Sequence, residues 1–135
     1  MINIKCYISS GGKNEIKNWY EELPTREQGK FSGLIDELQL QPEMHWKHEH
    51  SLKNTEGLYV IRIKIQKNQH RLIGFFHEKE FIMLCHFIEK KTQQDYKIAI
   101  DKAHSRKEEV LSDESRAINY VFKANGTTGS PARQS

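Results

Sequence analysis

Cysteine is scarce: the 135 residues hold two, Cys6 and Cys85, each inside an apolar run and neither part of a closely spaced set. That pattern indicates neither a disulfide scaffold nor a zinc site, and no metal or cofactor is expected. Long hydrophobic runs are missing too. No window approaches the roughly 20 apolar residues of a membrane span, and Met1-Ile2-Asn3-Ile4-Lys5 lacks the apolar stretch of a signal peptide. The expectation is a cytoplasmic protein with reduced thiols and no membrane partner. Nor is there a large excess of one charge: 21 Lys and Arg against 18 Asp and Glu give +3, so total charge assigns no polyanionic partner. No internal repeat is present. What remains is 36% hydrophobic and 10% aromatic, enough to fill the core of one domain but not of a second catalytic one.

The periodicity places the elements. Ile2, Ile4, Cys6 and Ile8 alternate with Asn3, Lys5 and Tyr7, the period-two pattern of a half-buried strand, and Ser9-Ser10-Gly11-Gly12 ends it. Ile16, Trp19, Tyr20 and Leu23 keep helical spacing up to Pro24. Thr25 with Gln28 reads as a capping box opening a second helix, buried through Phe31, Leu34, Ile35 and Leu38 and ending before Pro42. Together they predict a helical hairpin. Three runs then predict an antiparallel meander: Leu58–Gln66, a turn at Lys67-Asn68, His70–His77, a turn at Glu78-Lys79-Glu80, and Phe81–Ile88. Thr92 can cap a further helix whose stripe includes Tyr96, Ala99, Ile100, Ala103 and Val110. Beyond Leu111, residues 117–123 suggest a short helix, and Asn125 onward has the composition of a disordered tail.

The charge that matters is local. Between Gly57 and Lys91, seven cations (Arg62, Lys64, Lys67, Arg71, Lys79, Lys90 and Lys91) face three acidic residues, Glu78, Glu80 and Glu89. Alternation puts Arg62 and Lys64 on one face of their strand, displayed together as a polyanion requires. Adjacent antiparallel strands lie about 4.8 Å apart, so Arg62, Arg71 and the Lys90-Lys91 pair can gather within one or two nucleotides. Lysines at a strand end are ordinarily solvated and discourage edge pairing, but beside two arginines they form a candidate phosphate site. His45, His48 and His50 around Trp46 match no common zinc spacing and sit on an uncertain strand or loop, where a structural or solvent-facing role is expected.

The words "GLYVIRIKIQKNQHRLIGFF" and "IMLCHFIEKKTQQDYKIAIDKAHSRKEE", in the order strand, two helices, antiparallel strands and helix, resemble the RelE/HigB superfamily of type II toxin–antitoxin toxins, in its phage-derived HigB-like branch. The likeness rests on Gly57-Leu58-Tyr59-Val60-Ile61-Arg62, on Arg71, and on Phe87-Ile88-Glu89-Lys90-Lys91-Thr92, with one residue more than usual between the phenylalanine and the lysines. It covers roughly residues 2–111. It implies an α+β fold of RelE type: a small antiparallel sheet, made of the N-terminal strand and the three-stranded meander, packed with the helical hairpin and a C-terminal helix. Residues 1–111 would form the toxin domain and 112–135 an extension.

The resemblance implies a ribosome-dependent mRNA endoribonuclease that needs no metal, with ribosome and mRNA as partners and a cognate HigA-like antitoxin of helix-turn-helix type. In that reaction a ribose 2′-hydroxyl attacks the adjacent phosphate, and fixed cations stabilise the charge that builds on the phosphorane oxygens. Arg62, Arg71, Lys90 and Lys91 are the implied catalytic cations, with Lys64 and Lys67 along the RNA. His70, where an aromatic residue is commoner in the branch, is an acid–base candidate, and His86 is either a further RNA contact or a hydrogen-bonded core histidine. Tyr96 reads as core packing. Two other readings share the fold: a ParE-like toxin that inhibits DNA gyrase without cutting RNA, and an inactive phage-derived binding module.

Overall fold

The computed structural model describes residues 1–89 and 93–123. The expectations for Lys90, Lys91, Thr92 and the tail from Ala124 fall outside the described residues. The elements run β1 (Asn3–Tyr7), α1 (Glu15–Glu21), α2 (Thr25–Leu40), α3 (Glu43–His50), β2 (Leu58–Ile65), β3 (Asn68–His77), β4 (Glu80–Ile88), α4 (Gln93–Ser112), a 3-10 turn (Glu114–Arg116) and β5 (Ala117–Asn119). The α+β class holds, and the sheet has five strands in the order β2-β3-β4-β1-β5.

The meander forms as expected, with both turns tight. Ile65 pairs with Asn68, so the first turn is Gln66-Lys67, one residue earlier than the sequence suggests, and Gln66 takes a positive φ of 56°. His77 pairs with Glu80 across Glu78 and Lys79, whose φ values of 52° and 72° suit a two-residue hairpin turn. The sheet is not wholly antiparallel, because β1 enters beside β4 in parallel, Asn3 opposite Glu80 and Cys6 opposite Met83. Residues 117–119, expected in a helix, instead pair antiparallel with β1 from Lys5 to Tyr7.

Helices cover both faces. On one face, here called the hairpin face, Ile16 and Tyr20 of α1, Phe31, Ile35 and Leu38 of α2, and Trp46 of α3 pack on Ile4, Ile61, Leu72 and Met83. On the other, the α4 face, Ala99, Ala103 and Val110 pack on Val60, Ile73, Phe75 and Leu84. The two thiols divide between these cores and are free, so they cannot join. Burial pushes each up to about 12, which leaves both protonated and inert.

Residues 43–50, uncertain from the sequence, are helix α3, entered from Pro42 and anchored by one fully buried residue, Trp46, whose Nε1 donates to the Leu38 carbonyl at 2.9 Å. The capping box at Thr25 does not form. Pro24 holds the N-cap position, and Gln28 instead donates to the Tyr20 carbonyl at 3.0 Å, tying α2 back to α1.

One irregularity sets the parity of β4. Ile73 faces Cys85 while Gly74 faces Met83, leaving Leu84 as an extra residue in a bulge. Leu84 and Cys85 therefore both join the α4-face core, and every side chain beyond them changes face. β1 pairs with β4 only as far as Met83, so the outer edge of β4 beyond it has no strand beside it. Two side chains take that place: Glu15 accepts from the His86 backbone N–H at 2.9 Å, and Arg106 donates to the Leu84 carbonyl at 2.8 Å. Glu15 and Arg106 also pair with each other at 3.2 Å, which ties α1 to α4.

Candidate functional site

The register of β2, β3 and β4 decides which predicted residues meet. Arg62 lies opposite Arg71, and Arg71 opposite Phe87, so these three share the α4 face at the end of the sheet where α4 begins. Arg62 and Lys64 are exposed at alternate positions of β2, displayed together as expected, and Lys67 is exposed in the turn beyond them. Two like charges directly opposite on neighbouring strands repel. The arrangement therefore favours an anion between or above them.

Arg71 is held more tightly than its neighbours. Its Nη2 donates to Glu89 at 2.7 Å, and its guanidinium lies over the Tyr96 ring, 5.5 Å from the centroid. Phe87 meets Tyr96 edge to face at 5.6 Å, fixing the ring that the arginine rests on. The Arg71 side chain keeps 13% of its surface exposed, and its Nε is buried with no hydrogen-bond partner among the described residues. Tyr96 and Glu89 are thus part of the site. Tyr96 carried a helical-stripe signal that reads as core packing, and Glu89 had no signal beyond its place next to the lysines.

The histidines do not join this cluster. His70 pairs across the strands with Ile63 and Ile88, and His86 with Leu72, all on the hairpin face. Adjacent residues of a strand point to opposite faces, so His70 turns away from Arg71 through the sheet. An imidazole placed there cannot exchange a proton with a phosphate gripped by Arg62 and Arg71. This corrects the expectation that His70 works beside the arginines.

The two imidazoles instead meet each other, His70 Nδ1 and His86 Nε2 being 2.8 Å apart, with Trp19 of α1 stacked on His86 at 4.5 Å. Burial first, and the neighbouring His70 second, push His86 down to about 4; burial also lowers His70. Both are neutral at pH 7, so His86 is not a cation for RNA, and one facing nitrogen donates to the other. The hydrogen-bonded core reading describes this geometry.

Other cations are engaged elsewhere. Arg106 closes the β4 edge, Lys107 donates to the Glu56 carbonyl at 2.8 Å, and Arg116 bonds Glu109 and the Tyr7 hydroxyl. Lys30 of α2, which the sequence did not single out, donates to the Lys64 carbonyl and adds charge along the edge of β2. Beside it an open groove of about 640 Å³ runs between α2 and β2, past Gly33, Glu37, Arg62 and Lys64.

For a metal, the histidines of α3 do not converge: His45 pairs with Glu49 at 3.3 Å, and His50 Nδ1 contacts the Val60 carbonyl at 3.2 Å. Among the described residues His77, Glu78 and Glu114 bring ligand atoms within 4.8 Å of one another, at the opposite end of β3 from Arg71. His77 and Glu114 already bond each other at 2.6 Å.

Fold and site together define a small α+β protein with a mixed sheet, helices on both faces and paired arginines on neighbouring strands. A family profile described as "Phage derived protein Gp49-like (DUF891)" matches residues 18–108, about two thirds of the chain. The chain belongs to this phage-derived Gp49-like family. No curated protein and no solved structure matches it. No helix among the described residues is long and apolar enough to cross a membrane.

Proposed function

We propose that the protein is the toxin of a type II toxin–antitoxin pair and acts as a ribosome-dependent mRNA endoribonuclease, blocking translation in the cytoplasm until a cognate antitoxin of helix-turn-helix type covers it. One observation carries the reading: Arg62 and Arg71 face each other across β2 and β3 on the α4 face of the sheet, Arg62 exposed and Arg71 seated on Tyr96. Guanidinium groups fixed in this way can bind two phosphate oxygens at once and strengthen their hold as charge develops in the transition state. The family match to phage-derived proteins agrees with the resemblance seen in the sequence.

In this reading Arg71 and Arg62 hold the scissile phosphate, and Lys64 and Lys67 follow the RNA strand toward the turn between β2 and β3. Lys90 and Lys91, next in sequence to Glu89, supply further cations. The general base comes from this side of the sheet or from the ribosome and RNA themselves, since His70 lies on the other face.

That same separation favours a second reading, a toxin or binding module of this fold that grips a polyanion without cleaving it. Brief induction followed by mapping of mRNA ends decides between them. The wild type should arrest growth and leave new ends within translated codons, and Arg71→Ala should lower cleavage about 10²–10³-fold, the usual cost of one transition-state donor. Arrest without new ends would move the assignment to the non-cleaving reading. A folded Arg71→Ala protein that still cuts at the wild-type rate would remove Arg71 from the site.

A further inference from the structure

Arg71 presents an inconsistency for a phosphate-binding residue: it already holds an anion. Glu89 offers a carboxylate oxygen to Nη2 at 2.7 Å, from a side chain 42% exposed, while the arginine it holds is 13% exposed. Glu89 is therefore the movable partner. It follows the last residue of β4, and its backbone N–H donates to the Gln69 carbonyl at 2.8 Å, so its main chain stays in the sheet while the carboxylate lies over the arginine.

We propose that Glu89 stands in for a substrate phosphate on Arg71 and sets a threshold that a chain of phosphates passes and a single one does not. The inference rests on the reading of Arg62 and Arg71 as an anion site. A carboxylate and a phosphate present the same kind of oxygen pair to a guanidinium. A lone phosphate arriving at Arg71 only exchanges one anionic contact for another. A nucleic-acid strand brings further phosphates to Arg62, with its Cα about 5 Å away on the paired strand, and to Lys64 on the same face of β2. Neither Arg62 nor Lys64 is held in an ion pair among the described residues, so those added contacts drive Glu89 off.

The Nε of Arg71 supports this assignment. It is buried and without a partner among the described residues, a donor left over by a carboxylate that engages only the Nη2 end. A ligand that bridges Nη2 and Nε satisfies it. The Tyr96 ring under the guanidinium keeps that edge in one orientation during the exchange.

The test uses the full chain, a labelled single-stranded RNA with 2′-O-methyl sugars that cannot be cut, and inorganic phosphate as competitor. Glu89→Gln keeps the shape and removes the charge; it should bind the RNA about 5-fold more tightly, the factor for roughly 1 kcal/mol of a partly exposed ion pair. With the RNA at tracer concentration, inorganic phosphate should compete at about 5-fold lower concentration too, because it displaces the same carboxylate. In an Arg71→Ala background the same substitution should yield no such gain. A Glu89→Gln protein that binds no more tightly, or a gain that persists without Arg71, overturns the inference. If Arg71→Ala and Arg62→Ala each bind RNA as the wild type does, the anion-site reading itself falls, and this inference with it. If they weaken binding while Glu89→Gln changes nothing, only the role given to Glu89 falls.

Discussion

Acid should loosen this protein through one histidine before its carboxylates titrate. His86 is pushed down to about 4 in the fold by burial and by His70 beside it, while a histidine in the unfolded chain titrates near 6.5. A group whose folded pKa is depressed in this way leaves the unfolded state holding the extra proton as pH falls. Stability is therefore full above about 6.5 and declines down to about 4. At pH 5 an unfolded histidine is about 97% protonated and His86 about 10%, which corresponds to about 2 kcal/mol lost relative to pH 7. The opposing charges are known: Glu15 of α1 favours the protonated form, but Arg106 of α4 holds that carboxylate at 3.2 Å. Solvent at the rim of the site trims the loss to between about 1 and 2 kcal/mol. Urea unfolding of the wild type and His86→Gln at pH 7, 6 and 5 isolates it, since ordinary carboxylates stay largely ionised there and are common to both proteins. The wild type should lose that much more than the variant. Parallel stability curves would refute the account of the histidine pair.

Packing gives two further outcomes. Trp46 is the one buried residue of α3, against Phe81 at 4.6 Å and Phe76 at 5.3 Å, so Trp46→Ala should cost about 3–5 kcal/mol in denaturant unfolding. A loss under 1 kcal/mol would mean that α3 is not held by this anchor. Gly74 sits where the ladder shifts register, and a Cβ there would lie 2.3 Å from the Ile82 carbonyl oxygen and 2.7 Å from the Phe81 ring. Gly74→Ala should therefore lower the thermal midpoint, at a cost of about 1–3 kcal/mol; an unchanged midpoint would show that the two strands can part there freely.

Elements carried by repeated apolar spacing were legible in the sequence: the hairpin of α1 and α2, the meander, and the stripe of α4. What escaped it depends on distant neighbours. Ala117-Ile118-Asn119 has no strand signal of its own, and Ile118, Val121 and Phe122 keep helical spacing; the segment is a strand because the far edge of β1 is open to it. The parallel pairing of β1 with β4 leaves no local mark. Helix α3 has a single apolar anchor and hence no period to read. For the site, the convergence of Arg62 with Arg71 followed from tight turns and period-two alternation. The same alternation, applied to His70 beside Arg71, would have separated the histidines from the arginines. The bulge at Leu84, which sends His86 to the hairpin face and Phe87 to the α4 face, cannot be counted from composition.

The position of β1 has a consequence for timing. An interior strand of the sheet, it is drawn from residues 3–7, yet its partners begin at Glu80, 77 positions later in sequence, and finish at Asn119. During synthesis the segment emerges early and waits, with Ile2, Ile4 and Cys6 uncovered, until β4 and then β5 follow. The hairpin of β2 and β3, which brings Arg62 opposite Arg71, needs only neighbours in sequence and can form first. The face that carries Arg62 and Arg71 can thus be assembled before the sheet that supports it is complete, and the last of the described strands is the one that closes the first.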